Sequence, residues 1–252
     1  RGLSRDYERI QREQLLPLLR RLTDAMHGIS PGKWALYQPL LRKPEDQKTP
    51  HRDPVVPVDE PFGRERVIYA PHLYQMNTHV IPMMLDNLQR QAALSRAPLL
   101  LGEWGSPTRA DTDANHREQR RFTEVYQFTA NQMDHRGLGG IKPWFCGTRR
   151  MVHLPGAKEP VTWAIFSDSS PVGRDERKYL TDVLARPRPL VVAGRLEGFG
   201  NDFSTRTFTM RLRTNPALGA SEIFVPAERH YPGGFQVEFG DGLVLAGNAG
   251  DA

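Results

Sequence analysis

Three stretches of the sequence place side chains that could do chemistry directly after an apolar run. The stretch APHLY contains His72 and Tyr74, GEWG contains Glu103 and Trp104, and KPWF contains Trp144. Cleavage of a glycosidic bond with retention needs one carboxyl group that attacks the anomeric carbon and a second that protonates the leaving oxygen. Aromatic faces stack on sugar rings, and Tyr or His donors can hold a carboxylate ionised. These residue types therefore fit sugar chemistry.

Each of these side chains also has an ordinary structural explanation. A Glu after an apolar strand often caps a helix or faces solvent, and a single His or Trp often serves only packing. Their conjunction at three successive strand ends favours a site, because the carboxyl ends of parallel strands meet at one face and ligands bind there. Glu103 occupies the catalytic position of this predicted site.

The elements that must position these residues follow from hydrophobic periodicity. Apolar residues at helical spacing predict a helix from Asp6 to His27, and two further helices cover about residues 81–97 and 115–136. Strands are predicted at KWALYQPLL, RVIYAPHLYQ, the run before Glu103, and GLGGIKPWFCG. Strand and helix alternate, which is typical of a parallel α/β sheet, open or closed into a barrel. The proline-rich segment 43–62 is expected to lie over a surface or the rim of a site.

The pattern changes after the short helix predicted at DERKYLTDVLA. Residues 190–246 contain stretches of period two, such as TRTFTMRLR and GFQVEFGDGLVL, separated by Gly, Pro and Asn turns. This alternation predicts a small antiparallel β-sandwich. We expect two domains, residues 1–186 and residues 187–252.

Composition excludes several classes of function. No apolar run approaches the roughly 20 residues that span a bilayer. The net charge is +5, but arginines are mixed with acidic residues along the chain and form no basic block, which argues against nucleic acid as a partner. The single cysteine, Cys146, rules out an internal disulfide and a thiolate cluster.

No cofactor or metal is expected, because the candidate ligands do not form a compact ligand motif. They are His72, His79, Glu103, His116 and His135. An unrelated α/β-hydrolase is a weak alternative, since no Gly-x-Ser-x-Gly elbow makes Ser106 or another serine a nucleophile.

The same motifs carry a family resemblance. YAPHLY, then LLLGEWG about thirty residues later, then a strand with Trp144, resembles the second half of a glycoside hydrolase family 5 TIM barrel. LTDVLARPRPLVVAGR with SEIFVPAERHYPGGFQVEF is similar to the C-terminal sandwich of the endoglycoceramidase-like branch. The resemblance implies that Glu103 is the nucleophile, that Tyr74 and His72 contact it or the sugar, and that Trp144, with Trp104, binds substrate.

The resemblance also implies an acid/base that this sequence does not supply. In the family that residue is a Glu in an Asn-Glu-Pro motif after the fourth strand, and no such tripeptide occurs here. The nearest match, Asp59 to Pro61, lies in the proline-rich segment. We therefore expect residues 1–27 to be the fourth barrel helix, so that the chain contains strands five to eight of a partial (β/α)8 barrel. The chain alone is expected to be catalytically inactive.

Two functions follow from the sequence. The first is a retaining hydrolase of glycolipids or other β-glycosides, to which the resemblance adds a contact with lipid surfaces and a slight preference for a secreted or periplasmic location. The second is a non-catalytic carbohydrate- or lipid-binding remnant of the same fold. The oligomeric state and the identity of the glycan do not follow from the sequence.

Overall fold

The computed structural model describes residues 2–42, 55–106, 108–109, 112–142, 161–167, 175–240 and 244–247. The helices are α1 (Gly2–Ile10), α2 (Leu16–Ile29), α3 (Ile81–Ser95), α4 (His116–His135), α5 (Lys178–Leu184) and α6 (Ala227–His230). The strands are β1 (Ala35–Tyr37), β2 (Val67–Tyr69), β3 (His72–Tyr74), β4 (Leu100–Leu101), β5 (Glu103–Gly105), β6 (Thr108–Arg109), β7 (Gly139–Gly140), β8 (Val161–Thr162), β9 (Phe166–Ser167), β10 (Asp175–Glu176), β11 (Arg188–Val191), β12 (Gly194–Asp202), β13 (Thr207–Thr214), β14 (Glu222–Phe224), β15 (Phe235–Glu238) and β16 (Val244–Gly247).

The chain divides into two compact units. The first consists of Arg1–Ser106 with Leu138–Pro143, and the second of Pro107–Gly137 with Trp144–Ala252. Among the helices of the described ranges, none has the length and apolar character needed to cross a membrane.

The sheet of the first unit is built from short parallel pairs. β1 pairs with β2, β3 with β5, and β4 with β7, all in parallel. Backbone bonds from Tyr69 N to Pro98 O (2.9 Å) and from Gly102 N to Pro71 O (2.9 Å) join these pairs. The chain therefore lays four successive parallel stretches side by side, at the four places where the sequence predicts strands.

Helix α3 shows why this layer forms. Its buried residues Ile81, Leu85 and Leu88 recur at helical spacing, and the helix ends at Arg96, which takes a left-handed conformation with φ of 55°. On the sheet, Val67 and Tyr69 are buried while Ile68 between them is less so, as period two requires.

The N-terminal helix departs from the regular helix that the sequence predicts. Residues Gln11–Leu15, between α1 and α2, form a π-helical turn. The buried Gln11 side chain donates from Nε2 to Pro57 O (2.7 Å) and accepts at Oε1 from Leu40 N (2.9 Å). The π-helical turn thus places the Gln11 amide where it hydrogen-bonds two backbone groups, Leu40 N and Pro57 O, that are not paired within a β-sheet.

The described part of the proline-rich segment packs through its apolar side chains. In residues 55–62, Val55, Val56 and Phe62 are buried, and Val56 N donates to Leu40 O (2.8 Å). Its position over a surface or the rim of a site stays a prediction. Prolines prevent a regular strand here but leave the valines free to pack. Residues 43–54 lie outside the described ranges.

The second unit contains α4 and the antiparallel strands that the sequence predicts. β12 and β13 form a long hairpin, β11 pairs with β14, and β15 pairs with β16. Two packed sheets, as a sandwich requires, stay a prediction. The domain boundary near residue 186 also stays a prediction.

A buried ion pair fixes α4 within this unit. Nε and Nη2 of Arg186 donate to the Asp134 carboxylate, at 2.7 and 2.6 Å, and Asn201 Nδ2 donates to the same carboxylate at 3.2 Å. Asp134 is the penultimate residue of α4, whereas Asn201 belongs to β12. The three side chains therefore connect the helix to the hairpin.

Candidate active site

Glu103 is positioned by the register between β3 and β5. His72 pairs with Glu103, Leu73 with Trp104, and Tyr74 with Gly105. Side chains alternate along a strand, so His72, Tyr74 and Glu103 share one face, and Leu73 and Trp104 take the other. One parallel pairing therefore brings the three polar residues together at the carboxyl end of the sheet.

The three side chains meet at a single carboxylate oxygen. The Tyr74 hydroxyl donates to Glu103 Oε2 at 2.7 Å, and His72 Nδ1 lies 3.1 Å from the same oxygen. About a quarter of the Glu103 side chain is exposed. The carboxylate is thus held by two neighbours and remains accessible to a ligand. Tyr74 and His72 both contact Oε2 rather than Oε1.

The environment keeps His72 neutral. Burial lowers the pKa of His72, and the negative charge of Glu103 opposes that shift without cancelling it. A neutral imidazole with its proton on Nδ1 donates to Glu103 and carries no charge that would weaken the carboxylate as a nucleophile.

Gly102 makes this close approach sterically possible, a role that sequence reasoning missed. A Cβ atom at Gly102 would lie 2.6 Å from Ala70 O and 3.2 Å from His72 Cδ2. Any other residue would force apart the strands that carry His72 and Glu103. The signal in the sequence is the glycine that interrupts the apolar run directly before the glutamate.

Of the two predicted tryptophans the structure describes Trp104, which does not join this cluster. Trp104 is buried, with 3% of its surface exposed, on the face of β5 opposite to Glu103. Burial favours a packing role, and its contact with substrate stays a prediction. Trp144 lies outside the described residues.

The alternative carboxylates near Pro61 are engaged elsewhere. Asp59 pairs with Arg12 at 2.8 Å and Glu60 with Arg20 at 2.6 Å, both arginines belonging to the N-terminal helical segment. Phe62 N donates to Ser95 O (2.9 Å), which places this loop near the amino ends of β2 and β4. Glu103 lies at the opposite, carboxyl ends of the strands, so neither Asp59 nor Glu60 is placed to assist it.

In the parts of the chain that the structure describes, no group of three or more His, Cys, Asp or Glu side chains is arranged to hold a metal ion.

The C-terminal part of the chain matches a known family model over residues 186–249, described as the glycoside hydrolase family 5 C-terminal domain. The resemblance to this family that the sequence motifs carry is thereby confirmed. No protein among the curated sequences matches the chain.

Solved structures resemble nearly the whole chain. Endo-glycoceramidase II from Rhodococcus sp. is 19% identical over 96% of this chain and 53% of that chain, with a TM-score of 0.58. The same enzyme, described as a lactosyl-enzyme intermediate, is 19% identical over 96% of this chain and 52% of that chain, with a TM-score of 0.57. Sterylglucosidase 1 from Cryptococcus neoformans, bound to a compound named hit 1, is 14% identical over 82% of this chain and 36% of that chain, with a TM-score of 0.60.

These likenesses establish the fold. The chain has an α/β fold that covers part of a TIM barrel. It spans about half the length of the endo-glycoceramidase structures that it matches.

Proposed function

We propose that the chain is the nucleophile-bearing part of a retaining glycoside hydrolase, with Glu103 as the nucleophile. The observation that carries the proposal is the Glu103 carboxylate at the carboxyl end of a parallel sheet, with two neighbours on one oxygen. Hydrolysis begins when a carboxylate oxygen bonds to the anomeric carbon while the bond to the leaving oxygen breaks. Tyr74 and His72 orient Oε2, and Oε1 is then free of these two donors for the attack.

The proposed substrates are glycosides of lipids. The similar solved structures are an endo-glycoceramidase and a sterylglucosidase, enzymes named for glycosides of a lipid, and one of them is described as a lactosyl-enzyme intermediate. A covalent intermediate of that kind is what a retaining mechanism through Glu103 produces.

The proposed acid/base lies in a part of the barrel that these 252 residues do not contain. β1 pairs with β2 on one side, and within the described residues no strand pairs with its other edge. Apolar side chains are exposed on α2, on β1 and at the residue before β1, namely Leu18, Leu22, Ile29, Trp34 and Leu36. An open edge beside apolar surface fits a further set of strands and helices.

Covalent trapping tests the nucleophile without requiring an acid/base. An activated aryl 2-deoxy-2-fluoroglycoside has a leaving group that needs little protonation, so attack by Glu103 should leave a glycosyl group on the protein. We expect the mass of the 252-residue chain to increase by one glycosyl unit, with the label on the peptide that contains Glu103.

The matched variants are Glu103→Gln, which should abolish labelling, and Glu60→Gln, which should keep it. An amide cannot attack the anomeric carbon, whereas Glu60 lies at the opposite edge of the sheet. Labelling of another carboxylate, or no labelling of a chain with native circular dichroism, would contradict the assignment and favour the non-catalytic binding function.

A further inference from the structure

The strand that carries Glu103 contains one residue more than its neighbour on one side. Tyr69 pairs with Leu99, and His72 pairs with Glu103. Two residues therefore separate the paired positions on the first strand, whereas three separate them on the second. An additional residue on one strand of a pair is a β-bulge, which bends the strand and redirects the side chains that follow.

The neighbour on the other side shows the same additional residue. Ile141 donates from its backbone N to Leu101 O (2.9 Å) and accepts at its backbone O from Trp104 N (3.1 Å). In a regular parallel ladder one residue bonds two residues of the neighbouring strand that are two positions apart, because the hydrogen bonds are evenly spaced. Here they are three positions apart. Gly102 is the one residue that lies within both interruptions.

The backbone around Gly102 has the geometry of such an inserted residue. The chain bends at Gly102, and its N–H donates to Pro71 O (2.9 Å). A Cβ atom here would lie 2.6 Å from Ala70 O, so a side chain would point into the neighbouring strand instead of to either face of the sheet. A bulge at this position therefore requires glycine.

The bulge decides which face of the sheet Glu103 takes. The Tyr69 hydroxyl donates to Gln91 Oε1 on α3 (2.7 Å), so the face of Tyr69 and of its partner Leu99 packs against the helix. Side chains alternate along a strand, so an uninterrupted strand would turn Glu103, four residues after Leu99, to that same face. The additional residue reverses the alternation, and Glu103 instead shares the face of its partner His72.

Burial follows the reversed alternation. Leu101 and Trp104 are both buried, with 0% and 3% of their surfaces exposed, although they are three residues apart and would take opposite faces of a regular strand. Leu101 follows Leu99 by two residues, and Trp104 lies opposite to Glu103, so both take the helix-packed face. The bulge thus buries the two apolar side chains and leaves the carboxylate between them accessible.

We propose that Gly102 is a positioning residue for the chemistry of Glu103. Its bulge turns the carboxylate away from the helix-packed face and towards Tyr74 and His72, which contact Oε2. The effect on catalysis rests on the function proposed above, whereas the effect on register does not. A nucleophile displaced by about 1 Å can lose about 10²-fold in rate, so the bulge controls the attack through the place of the carboxylate.

Gly102→Ala tests the effect on the site, and Gly139→Ala is its matched control. Gly139 lies on β7, where a Cβ atom would meet the flexible end of the Leu100 side chain at 2.9 Å. We expect Gly102→Ala to slow labelling of Glu103 by the activated aryl 2-deoxy-2-fluoroglycoside about 10²-fold or more. It should also lower the pKa of His72 towards its value in Glu103→Gln, because the carboxylate moves away. Gly139→Ala should change neither quantity.

Disulfide cross-linking tests the register without a glycoside. In a Cys146→Ser background, cysteines at His72 and Glu103 should close, because these residues share a face on strands about 4.8 Å apart. Cysteines at Leu73 and Glu103 should stay open, since these residues take opposite faces. Loss of free thiols measures closure. Gly102 is present in both pairs, so they test the bulge even when Gly102→Ala does not fold.

Two results would overturn the proposal. One is closure of the Leu73 pair in preference to the His72 pair, and the other is parent labelling together with a parent His72 pKa in Gly102→Ala. Absence of labelling in the parent chain, with the His72 pair closed, would overturn only the proposed catalytic function.

Discussion

At the scale of single residues, the candidate site depends on one carboxylate oxygen with two neighbours. Tyr74 and His72 both lie on Glu103 Oε2, and Gly102 lets the strands that carry them meet. Burial and the charge of Glu103 act on the pKa of His72 in opposite directions, so this pKa reports whether His72 and Glu103 are in contact.

The titration of His72 gives a test of the cluster. Burial lowers the pKa of His72 and the Glu103 charge raises it, so Glu103→Gln should lower that pKa further. Nuclear magnetic resonance titration of the imidazole measures the change. Tyr74→Phe removes a hydroxyl but no charge, and should change the pKa much less. An unchanged or higher pKa in Glu103→Gln would show that the two groups do not interact.

The same shift sets the sign of a pH effect on stability. The folded pKa of His72 is below the unfolded value of about 6.5, so the unfolded chain binds more protons between the two values. The contribution of His72 to the free energy of unfolding is fully present above a pH of about 6.5, and it is lost as the pH falls through the folded pKa.

At the scale of secondary-structure elements, two long-range contacts of buried polar side chains hold the helices in place. Gln11 connects the π-helical turn to the backbone at Leu40 and Pro57, and Asp134 connects α4 to the β12–β13 hairpin. Each is the partner of groups that burial would otherwise leave unsatisfied.

Gln11→Ala should destabilise the first unit by about 1–3 kcal/mol, because Leu40 N and Pro57 O lose their partner in part-buried positions. Gln14→Ala is the matched control, since Gln14 belongs to the same turn and is exposed. Urea unfolding of both variants measures the difference. Equal midpoints would mean that the amide does not support the turn.

Asp134→Ala should reduce the free energy of unfolding of the second unit by about 3–5 kcal/mol, since it leaves the buried Arg186 guanidinium unpaired. The control is Arg213→Ala, which breaks an exposed pair with Glu197 on the β12–β13 hairpin and should cost about 0–1 kcal/mol. Guanidinium chloride unfolding compares them. A cost for Asp134→Ala as small as the control's would show that the ion pair adds nothing to the connection.

At the scale of the whole molecule, the proposed function assigns one half of the two-carboxylate chemistry to this chain. The chain spans about half of the endo-glycoceramidase structures that it matches, and Asn-Glu-Pro does not occur in it. The proposal therefore places the residue that protonates the leaving oxygen outside these 252 residues.

The 252-residue chain should therefore discriminate strongly by leaving group. Missing general acid catalysis typically costs about 10²–10⁴ in rate, so unactivated alkyl glycosides should react slower than activated aryl glycosides by about that factor. Rates with both substrates, and with the Glu103→Gln variant as the blank, measure the ratio. Ordinary turnover of an unactivated glycoside would show that a carboxylate of this chain acts as the acid.

The sequence by itself determined the parts of this protein that depend on local periodicity. Apolar runs and helical spacing located the four parallel stretches, α3 and α4, and GEWG placed Glu103 after a strand. Alternation along a strand also put His72 and Tyr74 on one face. These features follow from backbone hydrogen bonding and burial over a few residues, which neighbours in the sequence control.

Only the tertiary structure decided which polar groups meet. The pairing of His72 with Glu103 depends on the register between strands about thirty residues apart, and a slip by one residue would turn Glu103 to the face of Trp104. The Asp134–Arg186 pair spans 52 residues of sequence and forms only once α4 lies against this segment. Burial and hydrogen-bond satisfaction depend on packing between distant segments, and no local pattern encodes that packing.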